Sequence, residues 1–385
     1  MPPRPQLLPF RMSPWFALSG LALLALFPVS AADQKTPPKP ASEQPLFKPA
    51  YPASPIITGV FFDDRSARTA APGSDIWPVT WADDGHLYTA WGDGGGFGGT
   101  NQDGRVSFGV ARVEGGKRDY RGMNLAGGKN APHPMPFEGK SEGLLALGPT
   151  LYLWRDGEGG SLGYFKSIAL WRSDDHGATW QEVGVRFTKA GGDFAGNDEG
   201  LFAPAFCQFS QAGTGARDGY VYVYAPDSID PTHWHIRQPG RINLLRVPRE
   251  QIESKAAYEF YAGAGDGTAP RWTTLPAHRK PVWADATQGT HRIAVSYNPG
   301  LKRYLLTTIT HNRDGWMSIY DAPEPWGPWT HVHTEFNPAR WGTYTIIFTF
   351  VNKWLSADSR DFVIVHTKDD RWATIEGRFK LAGDR

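Results

Sequence analysis

The 385-residue chain has 40 basic and 39 acidic side chains, which give it a formal net charge of +1 at neutral pH. A nearly neutral chain lacks the broad positive surface that binds nucleic acid or an anionic membrane, so the sequence argues against both partners. Its 44 glycines and 32 prolines predict many turns, and its 16 Trp, 14 Tyr and 21 Phe argue against a disordered chain. Turn formers combined with aromatic residues indicate an all-β protein.

Residues 1–32 have the three parts of a secretory signal peptide. Arg4 and Arg11 supply positive charge, the apolar run "WFALSGLALLALFPV" follows, and "VSAA" offers small residues for cleavage near Ala31 or Ala32. The apolar run is shorter than the ~20 residues of a membrane-spanning helix, and an uncleaved N-terminal anchor is the alternative. We therefore expect export to the periplasm or the extracellular space, with no membrane attachment after cleavage.

Residues 33–55 are rich in proline and polar side chains and contain little that a core could bury. This composition predicts a flexible linker. A single folded domain is expected over residues 56–385, beginning with the apolar segment "IITGVFF".

The first predicted hairpin is "SDIWPVTWADDGHLYTAWGDG", residues 74–94. A three-residue loop in "ADDGH", with its glycine left-handed, would set Trp77 opposite Trp91 and Asp75 opposite Asp93. A two-residue turn would instead shift the pairing by one residue and send the two carboxylates to opposite faces. The first register gathers the larger apolar residues on one face and is preferred. In either register both aspartates lie at the same end of the hairpin.

Two directly opposite carboxylates repel one another, because their Cβ atoms would be about 4.5–5.5 Å apart. Such a pair titrates at two separate pKa values, which can make one group an acid and the other a base. We therefore predict that Asp75 and Asp93 are catalytic and that Trp77 and Trp91 contact substrate. Alternatively, Asp75 caps a turn and Asp93 serves the glycine-rich loop "GGGFGG" that follows it. This loop does not indicate a phosphate-binding site, because no helix-forming segment follows it.

A loose repeat extends over the rest of the chain: an apolar strand, a turn, and a strand centred on an aromatic residue. The aromatic markers of the five copies are Tyr88, Tyr152, Tyr222, Tyr304 and Phe362. They lie roughly 60–80 residues apart, which favours a five-bladed β-propeller with four-stranded antiparallel blades around a central channel. A β-sandwich would not explain five similar hairpins. "IITGVFF" is expected to supply the outer strand of the last blade, and "PREQIESKAAYEF" one short inter-blade helix.

The segment "SDDHGATW", Ser173 to Trp180, matches the Asp-box pattern S-x-D-x-G-x-T-W. Asp175 can bond backbone amides, Gly177 can adopt a left-handed conformation, and Trp180 can pack beneath the turn. Such boxes resemble those of sialidases and other propellers, where they lie at the outer edges of blades. We interpret this one as a structural turn.

If the first strand of each copy is innermost, the residues just before these strands meet at one mouth of the channel. Acids, a histidine and aromatic rings around a funnel are typical of a carbohydrate site. The further predicted substrate-binding residues are Glu142, Asp198, His291, Trp341 and Tyr344.

The remaining reactive side chains do not define a site. Cys207, the single cysteine, lies in the apolar segment "APAFCQF" and is expected to be a buried thiol. The pairs His233/His235 and His331/His333 each share a strand face, but no third ligand can be identified. The sequence therefore predicts no metal site and no cofactor, and it gives no support for an ion in the channel.

Several segments resemble a bacterial family catalogued as a domain of unknown function, which includes endo-D-arabinanases built on a five-bladed propeller. The similar segments are the hairpin above, "DGYVYVY", "YNPGLKRYLLT", "PEPWGPWT" and "KWLSADSRDF". The resemblance covers about residues 56–385. It implies hydrolysis of arabinofuranosyl linkages with inversion, by aspartates at the positions of Asp75 and Asp93. The loop "IDPTHWHIRQPGR" is much less similar, so sugar specificity carries over poorly.

The favoured hypothesis is an exported glycoside hydrolase that acts on a polysaccharide or oligosaccharide. Two carboxyl groups 6.5–9.5 Å apart are typical of inverting enzymes, and about 5–5.5 Å of retaining ones. The alternatives are a non-catalytic glycan-binding propeller and a hydrolase of a different glycan. A sialidase is the least favoured alternative, because no arginine cluster lies among the convergent positions.

Overall fold

The computed structural model describes residues 47–156, 166–189, 192–194, 200–228, 240–265, 269–286, 290, 292–309 and 316–384. Their regular structure is β-strand, apart from short helical turns, so the predicted all-β class is confirmed. No helix within these ranges is long and apolar enough to cross a membrane. The predicted signal peptide, together with Asp198, His291 and His233/His235, lies outside the described residues.

The strands of the described chain form four sheets. The first contains β2 (Val79–Trp81), β3 (Leu87–Gly92), β4 (Phe108–Glu114) and β5 (Arg121–Ala126). The second contains β6 (Lys140–Leu147), β7 (Thr150–Asp156), β8 (Ser167–Ser173) and β9 (Gln181–Thr188). Each is an antiparallel meander in chain order.

The largest sheet consists of two antiparallel meanders. One contains β11 (Ala205–Gln208), β12 (Tyr220–Ser228), β13 (Gly240–Pro248), β14 (Glu259–Ala264) and β15 (Pro270–Thr273), with β10 (Gly200–Leu201) beside β12 and β16 (Pro281–Asp285) beside β13. The other contains β17 (Ile293–Asn298), β18 (Arg303–Thr308), β19 (Trp316–Ala322) and β20 (Thr330–Phe336). A short parallel pairing of β11 with β17 joins them.

The last sheet brings the two ends of the domain together. It contains β21 (Phe348–Phe350), β22 (Asp361–Thr367), β23 (Trp372–Leu381) and finally β1 (Ile57–Ala70). β1 pairs with β23 from Ile57 opposite Leu381 to Ala70 opposite Trp372. The prediction that "IITGVFF" supplies the outer strand of the last copy is therefore confirmed.

Buried side chains fill the contacts between successive meanders. Tyr88 of β3 packs with Leu144 of β6, and Trp154 of β7 packs with Val223 of β12. The last sheet also contacts the first, because the rings of Trp372 and Trp77 lie 5.4 Å apart in an edge-to-face arrangement. All five aromatic repeat markers are buried in the second strands of their meanders, β3, β7, β12, β18 and β22.

The first strands of the meanders lie side by side. β6 contacts β2 and β3, β11 contacts β6, β17 pairs with β11, and β21 contacts β17. The segments that enter these strands carry the predicted site residues, so this arrangement positions the candidate site.

The predicted inter-blade helix does not form in the segment where it was expected. "PREQIESKAAYEF" forms two single 3-10 turns, Arg249–Gln251 and Lys255–Ala257, before β14 begins. Ile252 and Tyr258 are both buried, and the Tyr258 hydroxyl donates to the Ile252 carbonyl oxygen at 2.8 Å. This anchoring favours two tight turns over a continuous helix. The α-helix of the described residues is the single turn α1 (Pro338–Trp341), between β20 and β21.

The predicted linker extends too far toward the C-terminus. Phe47 lies against the ring of His331 at 5.5 Å, and Tyr51 stacks on Trp283 at 6.0 Å. The Ser54 amide donates to the His331 carbonyl oxygen at 2.8 Å. Two aromatic residues within a proline-rich segment therefore suffice to pack residues 47–55 on the domain, and the domain boundary lies before residue 56.

The turn between β8 and β9 has the hydrogen bonds expected of its Asp-box pattern. Asp175 accepts from the amide and the hydroxyl of Thr179 at 2.9 and 2.6 Å. Gly177 has a φ of 88°, and the indole N–H of Trp180 donates to its carbonyl oxygen at 3.1 Å. These contacts satisfy the carboxylate within its own turn, so the residue is structural.

Candidate functional site: a carboxylate pair where the first strands begin

The hairpin of β2 and β3 has the predicted three-residue loop. The Ala82 amide donates to the His86 carbonyl oxygen at 3.0 Å, and Gly85 has a φ of 81°. Val79 pairs with Thr89, as this loop requires. The preferred register is confirmed within the strands, and the two-residue turn is wrong.

At the other end of the hairpin the pairing shifts by one residue. Asp75 pairs with Gly92 through backbone hydrogen bonds of 2.9 and 2.8 Å, so the predicted direct pairing with Asp93 is wrong. The arm from Asp75 to Val79 is one residue longer than the arm from Thr89 to Gly92, as in a β-bulge. Both carboxylates still lie at the same end of the sheet.

Backbone strain accompanies this shift. Ile76, next to Asp75, has a φ of 64°, and Asp93 has a φ of 56°. A positive φ is unusual for a β-branched residue and persists only where the surrounding structure enforces it. Ile76 is fully buried in the core, which supplies that constraint. Strained backbone therefore lies within the site on both arms of the hairpin.

Asp75 lies in a nearly closed position. It is 9% exposed, and its Oδ2 atom accepts from the Tyr344 hydroxyl at 3.3 Å. Its Oδ1 atom is buried without a hydrogen-bond partner among the described residues. Burial, followed by the negative charge of Asp93, raises the pKa of Asp75 to about 7, and the charge of Lys140 works in the opposite direction. This carboxyl group can therefore hold a proton near neutral pH.

Asp93 has a different environment. Its side chain is 25% exposed, and its Oδ1 atom lies 2.7 Å from Lys140 Nζ and 3.3 Å from an Arg105 guanidinium nitrogen. Lys140 is itself 5% exposed and also donates to the Ser107 carbonyl oxygen at 2.8 Å. Lys140 and Arg105 thus lie within ion-pair distance of Asp93, whereas the side-chain hydrogen bond of Asp75 comes from a hydroxyl group.

Gly92 makes the close approach of these groups possible. A Cβ atom at this position would lie 2.8 Å from Lys140 Cδ, 2.9 Å from Ile76 Cδ1 and 3.0 Å from Asp75 Oδ1. Any side chain would therefore displace the lysine or the carboxylate.

The glycine-rich loop after Asp93 is held by hydrogen bonds. The Asn124 amide nitrogen donates to the Gly95 and Lys129 carbonyl oxygens at 2.9 and 2.8 Å, and the Gly96 amide donates to Ser74 Oγ at 2.9 Å. A Cβ atom at Gly96 would lie 2.4 Å from the Trp91 ring. The glycines therefore allow the loop to lie directly on a core tryptophan.

Three predicted substrate-binding tryptophans lie in the core. Trp77, Trp91 and Trp341 are each 0% exposed. Trp77 and Trp91 contact each other at 5.9 Å, and Trp341 meets Phe62 edge-to-face at 5.0 Å. No ring face is available to a sugar, so the predicted substrate contact is corrected to a packing role.

Glu142 belongs to a second, buried group of charges. It is 2% exposed and pairs with the guanidinium of Arg292, the residue that follows His291. Asp156 is also buried and accepts from the Ala203 amide at 2.8 Å, and burial together with the charge of Glu142 raises its pKa well above the usual range. Glu142 is therefore not exposed for the predicted substrate contact, and its charge acts within this group.

The structure brings Asp75, Asp93 and Tyr344 together, while Glu142 lies nearby beside Arg292, whose charge acts on Asp75. Lys140 and Arg292 were missed by the sequence analysis. The signal for Lys140 was its place in "KSEGLL", two residues before Glu142, because residues that enter a first strand share one end of the fold. The signal for Arg292 was its place directly after His291, which was predicted to bind substrate.

One group among the described residues has ligand types and spacing that could hold a metal ion: Asp83, Asp84 and His176. It lies at the loop end of the hairpin, and each member already has a partner. His176 Nε2 lies 2.8 Å from Asp83 Oδ1, and Asp84 accepts from the Tyr88 hydroxyl at 2.7 Å. These contacts explain the group without a metal.

The fold and the site together define an all-β protein with two acidic groups of unlike environment where its first strands begin. The chain belongs to the family described as "Domain of unknown function (DUF4185)", which matches residues 154–357. Membership in a family of unknown function is thereby confirmed, while the relation to endo-D-arabinanases stays a prediction. No curated protein matches the chain.

Several solved structures are similar at low identity. A putative hydrolase from Bacteroides ovatus is 12% identical, with a TM-score of 0.49, over 80% of this chain and 87% of that one. The GH62 alpha-L-arabinofuranosidase catalytic domain of Coprinopsis cinerea is 11% identical, with a TM-score of 0.43, over 86% and 98%. Penicillium chrysogenum alpha-L-arabinanase is 13% identical, with a TM-score of 0.43, over 85% and 98%. The assignment of the site in this chain rests on its own residues.

Proposed function

We propose that this protein is an exported glycoside hydrolase in which Asp75 is the general acid and Asp93 the general base. The observation that carries the proposal is the difference between the two environments. Asp75 is buried with a pKa of about 7, whereas Asp93 is partly exposed and faces Lys140 and Arg105. Acid–base hydrolysis of a glycosidic bond requires one carboxyl group that gives a proton and a second that accepts one.

In this mechanism Asp75 gives its proton to the glycosidic oxygen as the bond from that oxygen to the anomeric carbon breaks. Asp93 accepts a proton from the water that attacks the same carbon from the opposite face. The sugar configuration is inverted, and the proton on Asp93 returns to Asp75 through solvent. Lys140 orients Asp93, and the Tyr344 hydroxyl orients Asp75. We propose that no metal or cofactor takes part.

The proposed scaffold is a five-bladed β-propeller. Within the described residues, three separate four-stranded sheets and the two meanders of the largest sheet give five units in chain order. The five first strands are neighbours, and a hydrophobic cluster packs the last unit against the first. In such an arrangement the ends of the first strands surround one mouth of a channel, which suits a polymer substrate.

The proposed substrate is a glycan with arabinofuranosyl linkages, because the resemblance of the hairpin motif to the arabinanase family includes both aspartates. Export is proposed from the signal-like residues 1–32. A non-catalytic glycan-binding protein is less well supported, since the aromatic rings that would have served it, Trp77, Trp91 and Trp341, are buried.

The test is incubation of the purified protein with a panel of polysaccharides that includes D-arabinan and L-arabinan. Product sizes are measured by chromatography, and the anomeric configuration of the first product is measured by NMR. We expect shortened chains from one arabinan with inverted configuration. If no glycan in the panel is shortened, the hydrolase proposal is wrong; retained configuration would reject the water-activating role of Asp93.

A further inference from the structure

A groove with a volume of about 740 Å³ opens beside Asp93. Its walls come from the start of β4 and from the segment between β5 and β6, and they include Arg105, Phe108, His133, Met135 and Phe137. The groove lies within the part of the chain that the structure describes. None of these five residues was selected from the sequence.

The walls of the groove are held in place without a ligand. Phe137 contacts Trp171 at a centroid distance of 4.4 Å and stacks on Phe108 at 5.2 Å. The His133 backbone accepts from Gly127 at 2.8 Å and donates to Leu125 at 3.3 Å. A pre-formed groove binds without the entropic cost of ordering its walls, as is usual for small-molecule sites.

The lining of the groove combines apolar surface with hydrogen-bonding groups. Met135 and Phe137 supply the accessible apolar part, while Phe108 is 1% exposed and supports Phe137 by packing against it. The half-exposed His133 imidazole has no hydrogen-bond partner among the described residues, so it is available to a hydroxyl group. Sugars present both apolar faces and hydroxyl groups, and this lining matches both.

Charge and size define the ligand further. The guanidinium of Arg105 faces Asp93 and also contacts Asn101. Because Asp93 neutralises its charge, Arg105 does not favour an anionic sugar. The volume falls within the range of about 300–1,000 Å³ typical of drug-sized ligands, which is more than one pentose ring needs. A neutral chain of several sugar residues fits these features.

We propose that this groove binds the sugar residues next to the linkage held at Asp75 and Asp93, and that His133 donates or accepts a hydrogen bond there. The inference rests on the proposed hydrolase function. It predicts that the enzyme acts better on longer chains, because short substrates leave the groove empty and lose its binding energy.

The experiment uses two groove variants with matched controls. Ala131→Trp fills the groove from its half-exposed wall, and His133→Ala removes the imidazole. Ala277→Trp and His278→Ala make the same changes at exposed positions between β15 and β16. The kcat/KM of each variant is measured on D-arabinan, on L-arabinan and on arabino-oligosaccharides of increasing length.

We expect Ala131→Trp to lower kcat/KM on the polymer about tenfold or more, and His133→Ala about two- to tenfold, as expected for one lost hydrogen bond. The shortest substrate that the wild type cleaves should be affected less, and both controls should match the wild type. If Ala131→Trp fails to fold, as judged by its melting curve, His133→Ala decides alone.

The outcomes separate the two proposals. Cleavage by the wild type with an unchanged length preference in both groove variants would overturn the groove assignment and leave the hydrolase function standing. A wild type that cleaves neither arabinan would reject the proposed arabinan substrate, and the groove assignment would fall with it.

Discussion

The two ends of the first hairpin both carry a pair of aspartates, yet their surroundings differ. At the loop end Asp83 and Asp84 are exposed, and Asp84 accepts from the Tyr88 hydroxyl and the His86 amide at 2.7 and 2.9 Å. At the strand end Asp75 is buried, and one of its oxygens has no hydrogen-bond partner among the described residues. An aspartate whose hydrogen bonds are satisfied, such as Asp84, stabilises a turn. An aspartate with an unsatisfied oxygen, such as Asp75, is available for chemistry.

The pKa shifts of the two ends have opposite signs. Burial works to raise the pKa of Asp84, but the hydrogen bonds from Tyr88 and His86 outweigh it and hold this pKa below its usual value. At Asp75, burial and the charge of Asp93 raise the pKa to about 7. A carboxyl group stabilised as an anion cannot act as an acid near neutral pH, whereas a destabilised one can.

The largest expected difference between the ends is in activity. Asp75→Asn and Asp93→Asn should each lower kcat on the true substrate by several orders of magnitude, because an amide neither donates a proton as an acid nor activates water. The double variant should be little worse than the poorer single variant, since the two residues act as one unit. Steady-state kinetics on the cleaved glycan measures both effects.

The matched controls are Asp83→Asn and Asp84→Asn, which make the same chemical change at the loop end. They should keep wild-type turnover within a factor of about two, because their partners, His86, Tyr88 and His176, lie at the loop end of the hairpin. If either strand-end variant kept near-wild-type turnover, that residue would be removed from the mechanism.

A smaller effect is expected when the cation beside the base is removed. Lys140→Met should lower kcat on the order of 10- to 100-fold, because Asp93 loses its 2.7 Å partner while Arg105 remains. The pH–rate profile should also shift, which a purely structural defect would not cause. Lys129→Met, which breaks the more exposed pair with Asp103, is the control and should leave both quantities unchanged. An unaltered kcat and pH profile in Lys140→Met would contradict a positioning role.

The smallest effect is on stability. A raised pKa means that the folded state binds a proton that the unfolded state releases above about pH 4, so Asp75 costs stability increasingly as pH rises from about 4 to 7. Asp75→Asn should therefore raise the free energy of unfolding at pH 8, by on the order of 1–3 kcal/mol, and much less at pH 4.

Asp84→Asn should show the opposite sign. Its lowered pKa contributes stability above the unfolded-state pKa of about 4, and this contribution disappears as the pH falls through the folded-state value. Denaturant titrations at several pH values measure both variants. If Asp75→Asn and Asp84→Asn changed the free energy of unfolding with the same pH dependence, the two ends of the hairpin would not differ as described.

Local chemistry explains what could be predicted here. The loop register follows from "ADDGH", because a left-handed glycine closes a three-residue loop. The shift at Asp75 could not be predicted, because it depends on Ile76 being forced to a positive φ by the surrounding core. The burial of Trp77 and Trp91 could not be predicted either, because the sequence does not distinguish a ring that packs against the last sheet from one that faces a ligand.

The long-range contacts of the site were hidden for a related reason. Lys140 reaches Asp93 from another sheet, 47 positions along the chain, and Tyr344 reaches Asp75 across 269 positions. The sequence predicted that the starts of the first strands meet, but not which side chains pair there. The same limit applied to the helix in "PREQIESKAAYEF", where burial of Ile252 and Tyr258 outweighed helix propensity.

The most direct test is an NMR titration of the aspartate carboxyl carbons in ¹³C-labelled protein, with the Asp75 signal assigned by its loss in Asp75→Asn. The account predicts that Asp75 titrates near pH 7 in the wild type and at a lower pH in Asp93→Asn, where the repelling charge is gone. A pKa near 4 for Asp75 in the folded wild type would contradict its assignment as the general acid.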